Sequence, residues 1–108
     1  MNVELVEKAF ALAKAHPELH DQHDYAYPSP CGTVMCIAGW ICVADGWKVD
    51  GFGDAHKRGH RIQAVSFLAE VLAGLSEDTA DDLFVASADD DMPMLEERWA
   101  RIKEEAAE

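Results

Sequence analysis

The chain has 108 residues, of which 21 are acidic and 9 are basic, so its formal net charge at pH 7 is -12. This length suits one domain, and a hydrophobic content of 49% is enough for its core. Because so negative a surface repels nucleic acid and anionic membranes, we expect neither as a direct partner.

The first residues predict an amphipathic helix rather than an export signal. Asn2 suits the N-cap position, and Pro17 ends the helical pattern near His16. The apolar residues between them recur at helical spacing: Val3, Val6, Phe10 and Ala13. Because the start is neither basic nor continuously apolar, we expect a cytoplasmic protein whose thiols stay reduced.

Residues 17–30 predict a loop, because they contain three prolines and many polar side chains. A connection of this length without secondary structure is uncommon, so we expect it to pack against the domain or to have a function. It is the second choice for a surface that binds a partner.

The stretch from residue 31 to residue 47 holds all three cysteines and two of the three tryptophans. Wound as a helix it is apolar on every side, which is typical of a helix inside a core, and it is too short to span a membrane. We expect a central helix over residues 34–45 that ends at Gly46, with Trp40 in the core and Gly39 at a close-packing position. Residues 48–60 contain three glycines among charged side chains and predict an exposed loop.

Three further helices are predicted in the remainder of the chain. One covers residues 61–73 and ends at Gly74, the next begins at Ser76 as its N-cap, and the last has Pro93 at its first position. No segment alternates with a period of two over a useful length, so we expect no strand. The prediction is an all-α fold, a single helical domain over residues 1–108 with about five helices around the central one.

Several short segments resemble a family of small proteins from actinobacterial phages and their hosts. They are His16-Pro17-Glu18, Asp21-Gln22, Leu72-Ala73-Gly74-Leu75 and, most specifically, the Cys-Gly-Thr-x-x-Cys-x-Ala-Gly-Trp pattern over residues 31–40. The family has no assigned activity, so the resemblance implies a compact helical domain of phage type and no particular reaction. For a phage protein, the expected location is the cytoplasm of the host bacterium.

A metal or thiol function is the alternative that the cysteines raise. Cys31 and Cys36, with His20 and His23, have spacings close to those of zinc sites. Cys31 also precedes a helix N-terminus, where the dipole lowers a thiol pKa, and either histidine could act as its base. Free cysteine is more often a small buried apolar side chain, so we predict no catalytic residue, no metal and no cofactor. Structural zinc or a reactive thiol centred on Cys31 remains the alternative.

The last third of the chain carries most of the negative charge, because residues 76–108 contain 12 acidic and 3 basic side chains, a net charge of -9. A solvated surface that maintains solubility is the simpler explanation. The other is a face that binds a basic protein, and the helical pattern leaves four carboxylates outside the apolar stripes: Asp81, Asp82, Glu96 and Glu97. We predict a non-enzymatic accessory protein that binds, and modulates, a basic host protein through these four residues.

Overall fold

The computed structural model describes residues 1–22, 26–29 and 32–106. Within this part of the chain there are five α-helices, the number that the sequence predicts. They are α1 (Val3–Ala15), α2 (Ile37–Ala44), α3 (Val65–Ala73), α4 (Glu77–Phe84) and α5 (Met92–Ala106). A short 3-10 helix, Pro17–Leu19, follows α1. None of the described helices is long and apolar enough to cross a membrane.

The all-α prediction is wrong, because the chain also forms antiparallel sheet, so the fold is mixed α/β. Strand β1 (Ala26–Ser29) pairs with β2 (Gly32–Met35) in a hairpin. The strands β3 (Lys48–Val49), β4 (Asp54–His56) and β5 (Gln63–Ala64) form a three-stranded antiparallel sheet in that order. Strands of two to four residues are too short to show a period of two, which is why a pattern search misses them.

The three-stranded sheet occupies much of the segment that the sequence predicts as an exposed loop. Its first turn depends on Asp50, whose Oδ1 accepts hydrogen bonds from the backbone N–H groups of Phe52 at 2.8 Å and Asp54 at 3.1 Å. Gly53 has a φ of 83°, which glycine adopts without strain, and it brings the chain back into β4. A carboxylate that satisfies turn donors therefore folds this polar segment into a hairpin.

The central helix is shorter than predicted, because residues 33–35 belong to β2 and Cys36 is extended. Helix α2 therefore begins at Ile37. It packs against α1 on one side and α3 on the other, and all of its residues except Val43 are buried. Trp40 is only 4% exposed, so its predicted place in the core is confirmed.

Predictions from local capping signals are confirmed at two helix starts. The Asn2 side chain accepts a hydrogen bond from the backbone N–H of Leu5 at 3.2 Å, and Ser76 accepts one from Thr79 at 3.2 Å. Both satisfy a donor that the first turn of a helix otherwise leaves free. Helix α3, in contrast, begins later than predicted, because β5 directly precedes it.

Candidate functional site

The four carboxylates predicted to bind a partner lie on different surfaces. Asp81 lines a groove between α4 and α3, whereas Asp82 points toward α5 and bonds to its arginines. On α5, Glu96 lies beside α1, with its Oε2 3.5 Å from Lys14 Nζ. Glu97 borders a shallow pocket with the two arginines of the same helix. The structure thus does not bring Asp81, Asp82, Glu96 and Glu97 together in one face.

Asp82 belongs to an ion-pair network that joins α4 to α5. Arg98 donates hydrogen bonds to Asp82 and, at 2.8 Å, to Asp90, and Arg101 donates to the other Asp82 oxygen at 2.8 Å. Partial burial raises the pKa of Asp82, but the hydrogen bonds from Arg101 and Arg98 outweigh it and lower this pKa below its usual value. The bond to Asp90 raises the pKa of Arg98. Two aspartates and two arginines neutralise each other here, so this part of the acidic face holds helices together.

Asp81 has a different environment, in a groove of about 190 Å³ between α3 and α4. The aromatic ring of Phe67, on α3, lines the same groove and is 60% exposed. Glu70 is the second carboxylate in the lining. Neither Glu70 nor Asp81 forms an ion pair with any residue that the structure describes. The full lining is Ser66, Phe67, Glu70, Ala80, Asp81 and Phe84. We call it the α3–α4 groove.

Two further exposed apolar side chains lie one helical turn from residues of the α3–α4 groove, one on α3 and one directly after α4. Val71 follows Phe67 by one turn of α3 and is 57% exposed, and Val85 follows Asp81 by one turn and is 55% exposed. Glu77 precedes Asp81 by one turn and is also exposed. The surface therefore alternates exposed apolar groups with carboxylates that lack a described ion-pair partner, a combination that suits a partner with the opposite charge.

The sequence contains a signal for this surface that the prediction from charge alone overlooks. The buried face of α3 consists of Val65, Leu68, Ala69 and Ala73. Phe67 and Val71 are four residues apart and, at 3.6 residues per turn, fall on the opposite side of this helix. An aromatic residue on the outer face of an amphipathic helix, with a second apolar residue one turn later, departs from the usual pattern, and a helical projection reveals it.

The predicted metal and thiol residues can be followed only in part, because His23 and Cys31 lie outside the described residues. His20 is partly buried beside β2, and burial lowers its pKa although Asp21 acts in the opposite direction. Within the described residues, the His20 Nδ1 atom has no hydrogen-bond partner. No group of three or more His, Cys, Asp or Glu side chains in the described ranges is arranged to hold a metal ion.

The two cysteines that the structure describes are buried and free. Burial raises the pKa of Cys36 to about 11, although backbone N–H groups at the start of α2 act to lower it. Burial likewise raises the pKa of Cys42 to about 12. Since the thiolate is the reactive form, burial and the raised pKa values disfavour reaction of either thiol near neutral pH, and both side chains pack as small apolar core groups.

Several residues of the phage-like pattern have structural roles. The His16 ring stacks on Trp40, with 5.9 Å between ring centroids and 8° between the planes. A Cβ atom added to Gly39 would lie 2.6 Å from Met35 Cβ, so the expected close packing at this glycine is confirmed. Gln22, which is 5% exposed, accepts a hydrogen bond from the backbone N–H of Ile37 at the start of α2. These contacts give His16, Gly39 and Gln22 roles in packing and in the start of α2.

No model of a known protein family matches the chain, and no curated protein or solved structure matches it either. The phage-type origin therefore stays a prediction that depends on the quoted motif alone.

Proposed function

We propose that the protein acts without catalysis, by binding a basic amphipathic segment of another protein in the α3–α4 groove. The observation that carries this proposal is the exposed Phe67 ring between Glu70 and Asp81, two carboxylates without an ion pair in the described structure. Aromatic anchors in a recess dominate many protein interfaces, and charges around them select the partner.

Of the four carboxylates in the predicted acidic face, only Asp81 is proposed as a direct contact with the partner. Asp82 is neutralised by Arg98 and Arg101, and Glu96 faces Lys14 across a 3.5 Å ion pair. These contacts compete with any partner for both carboxylates. Asp81 has no such competitor among the described residues and lies in the α3–α4 groove. Glu97 has no ion pair with a described residue either, but it lies beside Arg98 and Arg101 on α5, outside the groove. The net charge of -9 over residues 76–108 then raises the rate at which a basic partner arrives.

The resemblance to actinobacterial phage proteins supports a host protein as the partner and the host cytoplasm as the location. An acidic phage protein that occupies a basic surface of a host factor would modulate that factor. The negative net charge of the chain disfavours direct binding to nucleic acid or to an anionic membrane, so the proposal includes neither.

A photo-crosslinking amino acid in place of Phe67 tests whether the α3–α4 groove is the contact surface. The matched control carries the same amino acid in place of Ala100, which is exposed on α5, four residues from Glu96 and three from Glu97. We expect one host protein to crosslink at position 67 and not at position 100. Crosslinking at position 100 alone would contradict the proposal and show that the partner contacts α5 instead.

The captured protein is then purified and its affinity is measured against defined variants. Phe67→Ser should weaken binding by about 30-fold or more, because interface anchors are worth about 2 kcal/mol or more. Since Phe67 is exposed, the variant should unfold at the same temperature as the wild type. An unchanged affinity would refute the role of the groove, whereas a lowered unfolding temperature would show that Phe67 has a structural role instead.

A further inference from the structure

A second surface of the same molecule has the properties that the α3–α4 groove is proposed to recognise. The turn between β4 and β5 is held by Lys57, which donates a hydrogen bond to the Asp45 backbone oxygen at 3.0 Å, and by His60, whose ring lies 5.3 Å from that of Trp47. Arg58 and Arg61 project from this turn, exposed and without an ion pair to any described residue. We call residues 57–62 the basic turn.

Exposed apolar groups accompany the basic turn. Ile62, its last residue, is 62% exposed, and Phe52, at the tip of the β3–β4 turn, is 91% exposed. The backbone of this turn is held in place, because Asp50 accepts the Phe52 N–H and lies 2.7 Å from His56 Nε2. The contact with His56 helps to lower the pKa of Asp50, which keeps this carboxylate ionised. The basic turn thus carries one exposed apolar side chain, Ile62, and is itself a short basic amphipathic segment, whereas Phe52 lies in the turn at the other end of β4.

The basic turn and the α3–α4 groove are neighbours on the surface. Gly53, next to Phe52, accepts a hydrogen bond from the backbone N–H of Val65, the first residue of α3, at 2.9 Å. From Arg61 the chain passes through β5 and the first turn of α3 to Phe67, a distance of at most about 15 Å. Two arginines without a described ion pair, two carboxylates and exposed apolar groups therefore lie near the start of α3, a self-complementary composition of the kind that a twofold interface requires.

We propose that a second copy of this chain occupies the α3–α4 groove when no other partner is bound. The basic turn of each copy places Arg58 and Arg61 against Glu70 and Asp81 of the other, and Phe52, Ile62 and Phe67 are covered near the twofold axis. The inference rests on the proposed function, because the basic turn is one instance of the segment that the groove binds. Self-association then competes with partner binding, so the dimer dissociates and the α3–α4 groove becomes accessible as the partner accumulates.

Analytical ultracentrifugation over micromolar to near-millimolar concentrations tests this proposal. The experiment uses physiological salt, at which repulsion between two chains of charge -12 is screened beyond about 8 Å. We expect a reversible monomer–dimer equilibrium without larger species, since a twofold interface is closed. The double variants Arg58→Glu/Arg61→Glu and Glu70→Lys/Asp81→Lys should each weaken the dimer by at least about tenfold.

A mixture of the two double variants gives the decisive readout. Each variant alone places like charges across both contacts of the interface, whereas the mixed dimer has opposite charges in both: the glutamates of one variant face the lysines of the other, and the wild-type arginines face the wild-type carboxylates. We expect a mixed dimer that is tighter than either variant alone, a result that misfolded variants would not give. A wild-type chain that stays monomeric, a dimer that both variants retain, or open-ended oligomers would each overturn the proposal.

The same variants separate this inference from the proposed function. Arg58→Glu/Arg61→Glu leaves the groove intact, so it should bind the partner captured at position 67 at least as tightly as the wild type does. Retained partner binding by a monomeric wild type would overturn self-association only. Loss of partner binding in Phe67→Ser, with Arg58→Glu/Arg61→Glu unaffected, is the pattern that both proposals predict.

Discussion

Replacement of Gln22 by Ala should destabilise the fold more than any other substitution of a polar side chain. The Gln22 Oε1 atom accepts the Ile37 N–H at 3.0 Å, and its Nε2 donates to the Leu83 carbonyl at 3.2 Å and to Ser87 Oγ at 2.7 Å. One buried amide thus joins the start of α2 to the end of α4. Ser87 is itself fully buried and donates to the Leu83 carbonyl.

The expected loss follows from these contacts. Each hydrogen bond contributes about 1 kcal/mol, and the Ile37 N–H, left buried without a partner, adds a further desolvation cost of about 1–3 kcal/mol. The Leu83 carbonyl keeps its bond from Ser87, which limits the total to about 3–5 kcal/mol. For a domain of this size the free energy of unfolding is of the order of 5–15 kcal/mol, so Gln22→Ala removes a large share of it.

Urea denaturation followed by tryptophan fluorescence measures this loss, with Gln63→Ala as the matched control. Gln63 is the only other glutamine of the chain, and its position in β5 is only partly buried. The control should change the free energy of unfolding by less than about 0.5 kcal/mol. A loss below about 1 kcal/mol for Gln22→Ala would refute the role of this amide as the cap of α2.

Three other predictions concern stability and the thiols. Titration with a thiol reagent should find Cys36 and Cys42 unreactive in the native protein and reactive in denaturant, because burial raises both pKa values. Stoichiometric zinc in protein purified without chelator would instead favour a zinc or thiol function centred on Cys31. Trp40→Ala should lower the free energy of unfolding by about 3–5 kcal/mol in the same urea assay, and wild-type stability would show that Trp40 is not a core residue. The pKa of Asp82 is lower in the folded protein than its unfolded value near 3.9, so its ion pairs stabilise the fold fully above that pH and are lost as the pH falls through the folded pKa. In a plot of the free energy of unfolding against pH, Asp82→Asn should therefore show a smaller fall at acid pH than the wild type. An equal fall would contradict the ion-pair network of Asp82 with Arg98 and Arg101.

Features that depend on neighbours in sequence could be predicted, and those that depend on distant partners could not. The caps at Asn2 and Ser76 involve residues three positions away, so their residue types reveal them. Gln22 caps α2 from 15 residues away and reaches Ser87 across 65 residues, and nothing in its local sequence indicates either contact. The strands β3 to β5 are an exception: the Asp50 turn that joins β3 to β4 is local, but strands of two or three residues have no period of their own that indicates them.

The residues of the candidate site also divide into features that the local sequence indicates and features that depend on distant partners. Charge counting finds the acidic character of α4, but Asp81 and Asp82 are adjacent in sequence and differ only in what the fold brings to them. Arg98 and Arg101 reach Asp82 from α5, and Asp81 faces α3 instead. A helical projection of the sequence indicates that Phe67 lies on the outer face of α3, because the spacing of Phe67 relative to the buried residues is a local property.

The salt dependence of partner affinity tests the central claim most directly. The assay compares the wild type with Glu70→Gln/Asp81→Asn, and uses Glu104→Gln, an exposed carboxylate outside the groove, as the control. We predict that the double variant binds the partner captured at position 67 about tenfold more weakly at low salt and loses much of its salt dependence, whereas the control changes neither quantity. Equal affinities and equal salt slopes for all three proteins would contradict the account and leave the carboxylates of the α3–α4 groove as a solubility surface.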